Sequence, residues 1–191
     1  MRTGVSPTKL IARTVSFARD RRGISAVEFA MLLPLMVTLY LGVIEVSQGV
    51  GIDRKVTLTT RTMADLASRV TSINNADMSN LLGASAAVMS PYDKPPYELS
   101  RLKIVLSAVT IDANSVAKIA WSDALNGAAR TVGATVTLPS ALVVPSTTLI
   151  WSEVSYNYSP VFGYVLTGNI NLTDQIYMRP RLSDTITRVN S

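Results

Sequence analysis

Arg-Arg-Gly-Ile-Ser-Ala-Val-Glu-Phe-Ala-Met-Leu-Leu-Pro-Leu-Met-Val-Thr-Leu-Tyr-Leu-Gly-Val-Ile-Glu-Val, residues 21–46, decides the fold. Two arginines and a glycine lead into an apolar run in which Glu28 stands near the start and the next carboxylate, Glu45, only at the end. Ile24 to Ile44 makes 21 residues, which in a helix rising about 1.5 Å per residue covers roughly 30 Å, the thickness of a bilayer's hydrocarbon core. The segment is long enough to span a membrane. A carboxylate at the centre of such a helix is disfavoured by about 2.5–3.5 kcal/mol, so Glu28 needs an interfacial depth or a partner. A chain cut between Gly23 and Ile24 would supply one, because Glu28 would then sit four residues from a new α-amino group, the spacing at which helix neighbours meet. The positive end of the helix dipole also favours an anion there.

Charge fixes the expected orientation. The chain has 191 residues and a formal charge of +5, and residues 1–23 hold six of the 18 bases but one of the 13 acids, which leaves twelve of each sign for the rest. A basic flank directly before an apolar helix stays in the cytoplasm and sends the C-terminal part across. The neutral body gives little support to nucleic-acid binding. There is no cysteine and no histidine, so disulfide scaffolds, thiolate nucleophiles, Cys/His zinc sites and histidine acid–base schemes are all excluded. The remaining acids are scattered singly with no Gly-rich phosphate loop, so no catalytic residue, cofactor or metal site is expected.

Arg-Arg-Gly, four residues and then Glu28-Phe29 ahead of an unbroken apolar helix resembles the class III leader of type IV pilin-like proteins, which a prepilin peptidase cuts after the glycine, here between Gly23 and Ile24. Pro34 fits, since pilin helices often carry a proline in their first half, and it marks an expected kink where the Ala30 carbonyl loses its donor. The C-terminal third narrows the resemblance to the TadE-like pseudopilins of tight-adherence pili, through Tyr156-Asn157-Tyr158-Ser159-Pro160 and Arg179-Pro180-Arg181. What the resemblance implies is a minor pilin, since major pilins of that system are much shorter and carry Tyr where Phe29 stands. Its implied partners are other pilin and pseudopilin subunits, including a TadF-like companion, together with a prepilin peptidase and the inner-membrane assembly platform. The adhesive Asp-x-Ser-x-Ser site of longer relatives does not occur.

Other readings of the same residues stay open. The helix would serve equally as an uncleaved signal anchor of an envelope adaptor, with Glu28 at headgroup depth. Ser47-Gln48-Gly49 has the small-x-small form of a leader-peptidase site, which would release a soluble binding domain, although the 16 apolar residues from Phe29 to Ile44 are long for a signal. Arg21-Arg22 lacks the flanks of a twin-arginine signal.

The organisation expected is a basic cytoplasmic leader over 1–23, a helix over 24–72 with its membrane span at 24–46 and an amphipathic extension at 47–72, and a periplasmic α+β domain over 73–191. Residues 1–20 hold Leu10, Ile11, Val15 and Phe17 at near-helical spacing, suited to the inner membrane surface. Val46, Val50, Val56, Met63, Leu66 and Val70 suggest the inward stripe of the extension, and Gly49 and Gly51 a weak point that favours a bend. Asp77 reads as the N-cap of a short helix from Met78 to Met89, closed by Ser90-Pro91 and separated from the strands beyond it by Asp93-Lys94-Pro95-Pro96. Leu102, Ile104, Leu106 and Ala108 then alternate along a strand to Ile111, Asp112-Ala113-Asn114-Ser115 turns into a second strand near 116–122, and a β-rich stretch covers 134–138. A turn or short helix over Pro139–Leu142 precedes strands at 148–158 and 170–178, the first rich in β-branched and aromatic residues. Trp121, Trp151, Tyr156 and Tyr158 are expected as core or strand aromatics, and Asn171-Leu172-Thr173, a glycosylation pattern, receives no role. These strands are expected to form an antiparallel sheet, with the exposed half of the long helix packed on one face. The 115-odd residues after that helix are enough for a core of their own by length, so the fragment from about Asn75 to Ser191 is expected to fold alone.

Overall fold

A computed structural model describes residues 21–93, 101–160, 163 and 167–189; the leader stretch 1–20 and the Lys94-Pro95-Pro96 spacer lie outside them. The fold is α+β. Helix α1 (Arg21–Ser68) is one element of 48 residues that runs through Pro34 and both glycines. After it come a two-residue strand β1 (Ser72–Ile73), helix α2 (Asn75–Ala87), strands β2 (Leu102–Ile111) and β3 (Ala117–Leu125), a 3-10 turn at Ser140–Leu142, strands β4 (Thr147–Tyr158) and β5 (Ile170–Met178), and a two-residue β6 (Thr187–Arg188).

The start of α2 differs from expectation by one turn. Asn74, in extended conformation, is the N-cap, and Asp77 is the third helical residue of a capping box: the Asn74 side chain accepts from the Asp77 amide at 2.8 Å while the Asp77 carboxylate reaches back to the Asn74 amide. Either residue satisfies the preference for a short polar cap; the reciprocal pair needs the cap three residues ahead of the acid.

Strands β3-β2-β4-β5 form one antiparallel sheet in that order. The β2–β3 turn is closed by the Asp112 carboxylate, which accepts from the amides of Asn114 and Val116. On the inner face Leu102, Ile104, Leu106 and Ala108 are fully buried, as the alternation required. A bulge between Ala108 and Val109 then changes the β3 register. Ile119 and Trp121 lie two residues apart and would ordinarily share a face, but the extra residue turns Trp121 into the inner core with Ala108 and sends Ile119 to the outer cluster with Val109 and Leu149. Residues 134–138 are not a strand of their own: they meet the β3 edge through one bridge, Lys118 to Thr135, with backbone bonds from Ile119 and Val136 on either side, and Leu138 drops over the outer cluster.

The main core does not belong to the sheet and α2 alone. Ile52, Val56, Met63 and Ala67 of α1 are buried in one cluster with Ile104, Leu106, Ile150 and Val154, and α1 lies along β4 and β5. A fragment beginning at Asn75 therefore lacks one wall of its own core, which length alone could not reveal. A C-terminal strap completes the packing, as β6 pairs in parallel with β1. The Trp121 indole donates to the Ile186 carbonyl at 2.7 Å, and Arg188 reaches Asp123, Asn75 and the Ile73 carbonyl.

Candidate assembly helix and its clasp

Helix α1 has two environments. From Gly23 to Tyr40 every residue is exposed on all sides, including Ile24, Glu28, Phe29 and Pro34. It is the one helix among the described residues long and apolar enough to cross a membrane. Within it the Thr38 hydroxyl donates back to the Pro34 carbonyl at 2.8 Å, which satisfies a polar side chain that would otherwise face an apolar solvent. From Leu41 onward one face is covered by the domain while the other remains open.

That covered face is the expected stripe only in its upper part, where Val56 and Met63 are fully buried. Val46 and Val50 are exposed, and the inward positions are Gly42, Glu45, Ile52, Val56, Thr59, Met63 and Ala67. Glu45 is 1% exposed, an acid that the sequence pattern placed merely at the end of the apolar run. One small residue here serves close approach. A Cβ built on Gly49 would stand 3.6 Å from Tyr158 Cε1, an ordinary contact, whereas one on Gly51 would stand only 3.1 Å from the Tyr92 hydroxyl oxygen, so it is Gly51 that makes room for a ring.

The two C-terminal patterns hold the domain to this helix at separate heights. At the end nearer the uncovered segment the Tyr158 hydroxyl donates to the Glu45 carbonyl at 3.3 Å, and beside it the Tyr156 hydroxyl donates to the carbonyl of Tyr92, beyond α2, at 3.1 Å. Burial, then the Glu45 charge, then Tyr92 push the Tyr158 phenol above its ordinary range. Burial, then the Asp93 charge, do the same for Tyr156, against a smaller opposing effect from Arg101. At the far end the Arg181 amide donates to the Ser68 carbonyl at 2.8 Å, capping an otherwise unsatisfied acceptor of the last turn, and its guanidinium pairs with Asp65 at 2.7 Å, an acid also held by Arg69 at 2.6 Å. The motif is used unevenly. Pro160 and Pro180 are half-buried, and Arg179 is exposed, away from both contacts.

The opposite face of the sheet carries a cleft of about 780 Å³ lined by Lys103, Arg130, Glu153 and Gln175 among others. Arg130 pairs with Glu153 and lies over the Trp151 ring, 3.7 Å from its centre, and Trp151 stacks on Tyr177 and donates to Gln175. These groups satisfy one another, and no nucleophile stands beside a base. Among the described residues no group of three or more acidic or other ligating side chains could hold a metal ion.

No curated protein and no solved structure matches the chain. A family model described as TadE-like protein does match, over residues 23–65. The matched span opens at the glycine before the apolar run and closes at Asp65, the acid that Arg181 grips. Its family is pilus-related and is not one of enzymes. The resemblance drawn from Arg-Gly, Glu28-Phe29 and the apolar run is matched there: from Gly23 to Asp65, α1 is similar to the TadE-like family.

Proposed function

We propose that this chain is a minor pilin, or pseudopilin, that takes part in assembly of a tight-adherence type IV pilus. A prepilin peptidase removes residues 1–23 at the cytoplasmic face of the inner membrane. Ile24 to Val46 then spans the bilayer, residues 47–72 continue the helix, and residues 73–191 lie in the periplasm or on the fibre. Partners are other pilin subunits, a TadF-like companion and the assembly platform.

The observation that carries this reading is the division of α1. Its first 17 residues after Gly23, about 25 Å of helix, are all exposed, whereas beyond them one face is built into the core. A helix used only to fold the domain would have no reason to extend so far uncovered, and its apolar surface suits lipid and other helices. Within such a bundle Glu28 meets the α-amino group of a neighbour's Ile24, which offsets two desolvation penalties together. Phe29 lies beside that pair, and Pro34 supplies local adjustment of the helix.

N-terminal sequencing of the membrane-fraction protein tests the reading: it should begin at Ile24. Gly23→Val should leave a species heavier by the leader. A mature protein beginning at Met1, or a Gly23→Val mutant that runs like wild type, would refute processing after Gly23 and favour the uncleaved anchor; a start near Val50 would favour a released soluble domain.

A further inference from the structure

We infer that the face of α1 opposite the domain is a docking seam for a parallel helix of a different chain, one that carries carboxylates at two levels seven residues apart. This rests on the proposed assembly role and specifies the partner that role leaves open.

Met36, Tyr40, Val43, Ser47, Val50, Arg54, Thr57 and Arg61 follow one another at alternating steps of four and three, the repeat that keeps residues on one side of a helix and fits a left-handed pair. Glu45, Ile52 and Thr59, each two residues beyond Val43, Val50 and Thr57, are buried against the domain, so this line points directly away from it. Val43 is 65% and Val50 47% exposed. Above Val50 the line turns cationic. Arg54 and Arg61 are exposed, and neither joins an ion pair among the described residues.

Height decides what covers the line. Measured from Ile24, the hydrocarbon core of about 30 Å ends near Val43 and Ile44. Lipid tails cover Tyr40 and Val43, but Val50 and both arginines stand beyond them, where a partner helix can reach them without displacing lipid. A second copy is a poor occupant. Two copies inserted the same way would pair in parallel and set Arg54 against Arg54 and Arg61 against Arg61 at inward positions, with Asp53 one residue aside on the flank. Charged residues at such positions set partner choice at a cost to the wrong pairing. A helix with Asp or Glu at those two heights would match the apolar lower seam and neutralise both cations.

The chain has no cysteine, so Val50→Cys places a single thiol on the seam of the full-length protein. Two differently tagged copies are expressed together with the prepilin peptidase in membranes of a host that supplies no other pilin subunit, and oxidised, one carrying Val50→Cys alone and the other adding Arg54→Glu and Arg61→Glu, both exposed changes whose folding is verified by tryptophan fluorescence. The mixed disulfide should exceed the Val50→Cys self-disulfide several-fold. Equal yields would overturn the inference by making a second copy the occupant, and no disulfide in either case would overturn it in favour of a seam covered by lipid or left open. The N-terminus is read on the same samples. A chain not beginning at Ile24 sinks processing after Gly23 without touching the seam result, whereas failure of the charge swap in a chain that does begin at Ile24 sinks the seam alone.

Discussion

Met63→Ala tests whether the upper half of α1 is part of the domain. Met63 is fully buried in the main cluster, and its sulfur accepts from the Ser85 hydroxyl of α2 at 3.2 Å. Truncation removes the packing of a whole thioether side chain and leaves a cavity between α1, α2 and the sheet; large-to-small changes of this kind cost about 2–5 kcal/mol. The Ser85 hydroxyl, itself buried, also loses its acceptor. Against a total stability of about 5–15 kcal/mol, that is a large fraction. The control is Leu58→Ala on the same helix. Leu58 is exposed, so its truncation should fall within about 0.5 kcal/mol. Urea unfolding of the full chain in detergent, followed by the fluorescence of Trp121 and Trp151, reads both variants, because both tryptophans are buried in the sheet. The midpoint for Met63→Ala should move far below wild type with an unchanged slope. Equal midpoints for the two variants would refute the placement of α1 in the core.

Tyr158→Phe should cost about 1 kcal/mol, the net worth of one hydrogen bond to the Glu45 carbonyl, and hydrogen exchange should show opening near Glu45 before the sheet opens; unchanged exchange there would count against the clasp. Asp65→Asn, which removes ion pairs to two largely exposed arginines, should cost under about 1 kcal/mol and do so less at high salt. Tyr156, Tyr158 and Tyr177 have phenols raised above the ordinary value of 10.0 in the fold, each chiefly by burial. A raised phenol keeps its proton in the folded state after the unfolded chain has lost it, so their contribution is fully present below about pH 10 and is lost as pH rises through the folded values; urea midpoints that stay level well above pH 10 would contradict this. Glu28→Ala should still insert and still be cut after Gly23, since the helix becomes more apolar, while recovery of other pilin subunits and piliation fall; normal pili from that strain would leave Glu28 without an assembly role.

Much of this fold is legible in the chain. Ile170–Met178 and the alternation from Leu102 to Ala108 can be read from local pattern because each strand has one face on the core and little else to satisfy. The apolar run from Ile24 is legible for a simpler reason: composition and length alone mark a helix long and apolar enough to cross a membrane. Where α1 meets the domain, local pattern misleads. Val46 and Val50 look like the start of an inward stripe, yet they are exposed while Gly42 and Glu45 are buried, a choice of face that no local apolar period marks. The parallel β1–β6 pair, with Arg188 bridging to Asp123 and Asn75, joins residues more than a hundred positions apart in two-residue strands that carry no period to read. The register change at Ala108 is likewise invisible, since Ile119 and Trp121 alone would be placed on a common face.

The position of the clasp bears on how a subunit could leave the membrane. Tyr158 and Arg181 grip α1 at Glu45 and at Asp65–Ser68, twenty residues or about 30 Å apart, and the buried side chains between them tie the helix to the sheet along that whole length. Pulling on the domain therefore loads the helix along a long packed interface, not through a flexible tether at Gly49 and Gly51, which are themselves packed under tyrosine rings. On the proposed function, the uncovered segment below Leu41 would move with the domain as one body, and the contacts exchanged on leaving the bilayer would be those of the segment 24–46 and of the open face of α1 with lipid or with neighbouring helices. If the proposed function holds, such a subunit would pass from membrane to fibre without unfolding its domain, provided a partner offers Ile24 to Tyr40 an apolar surface and Glu28 a cation.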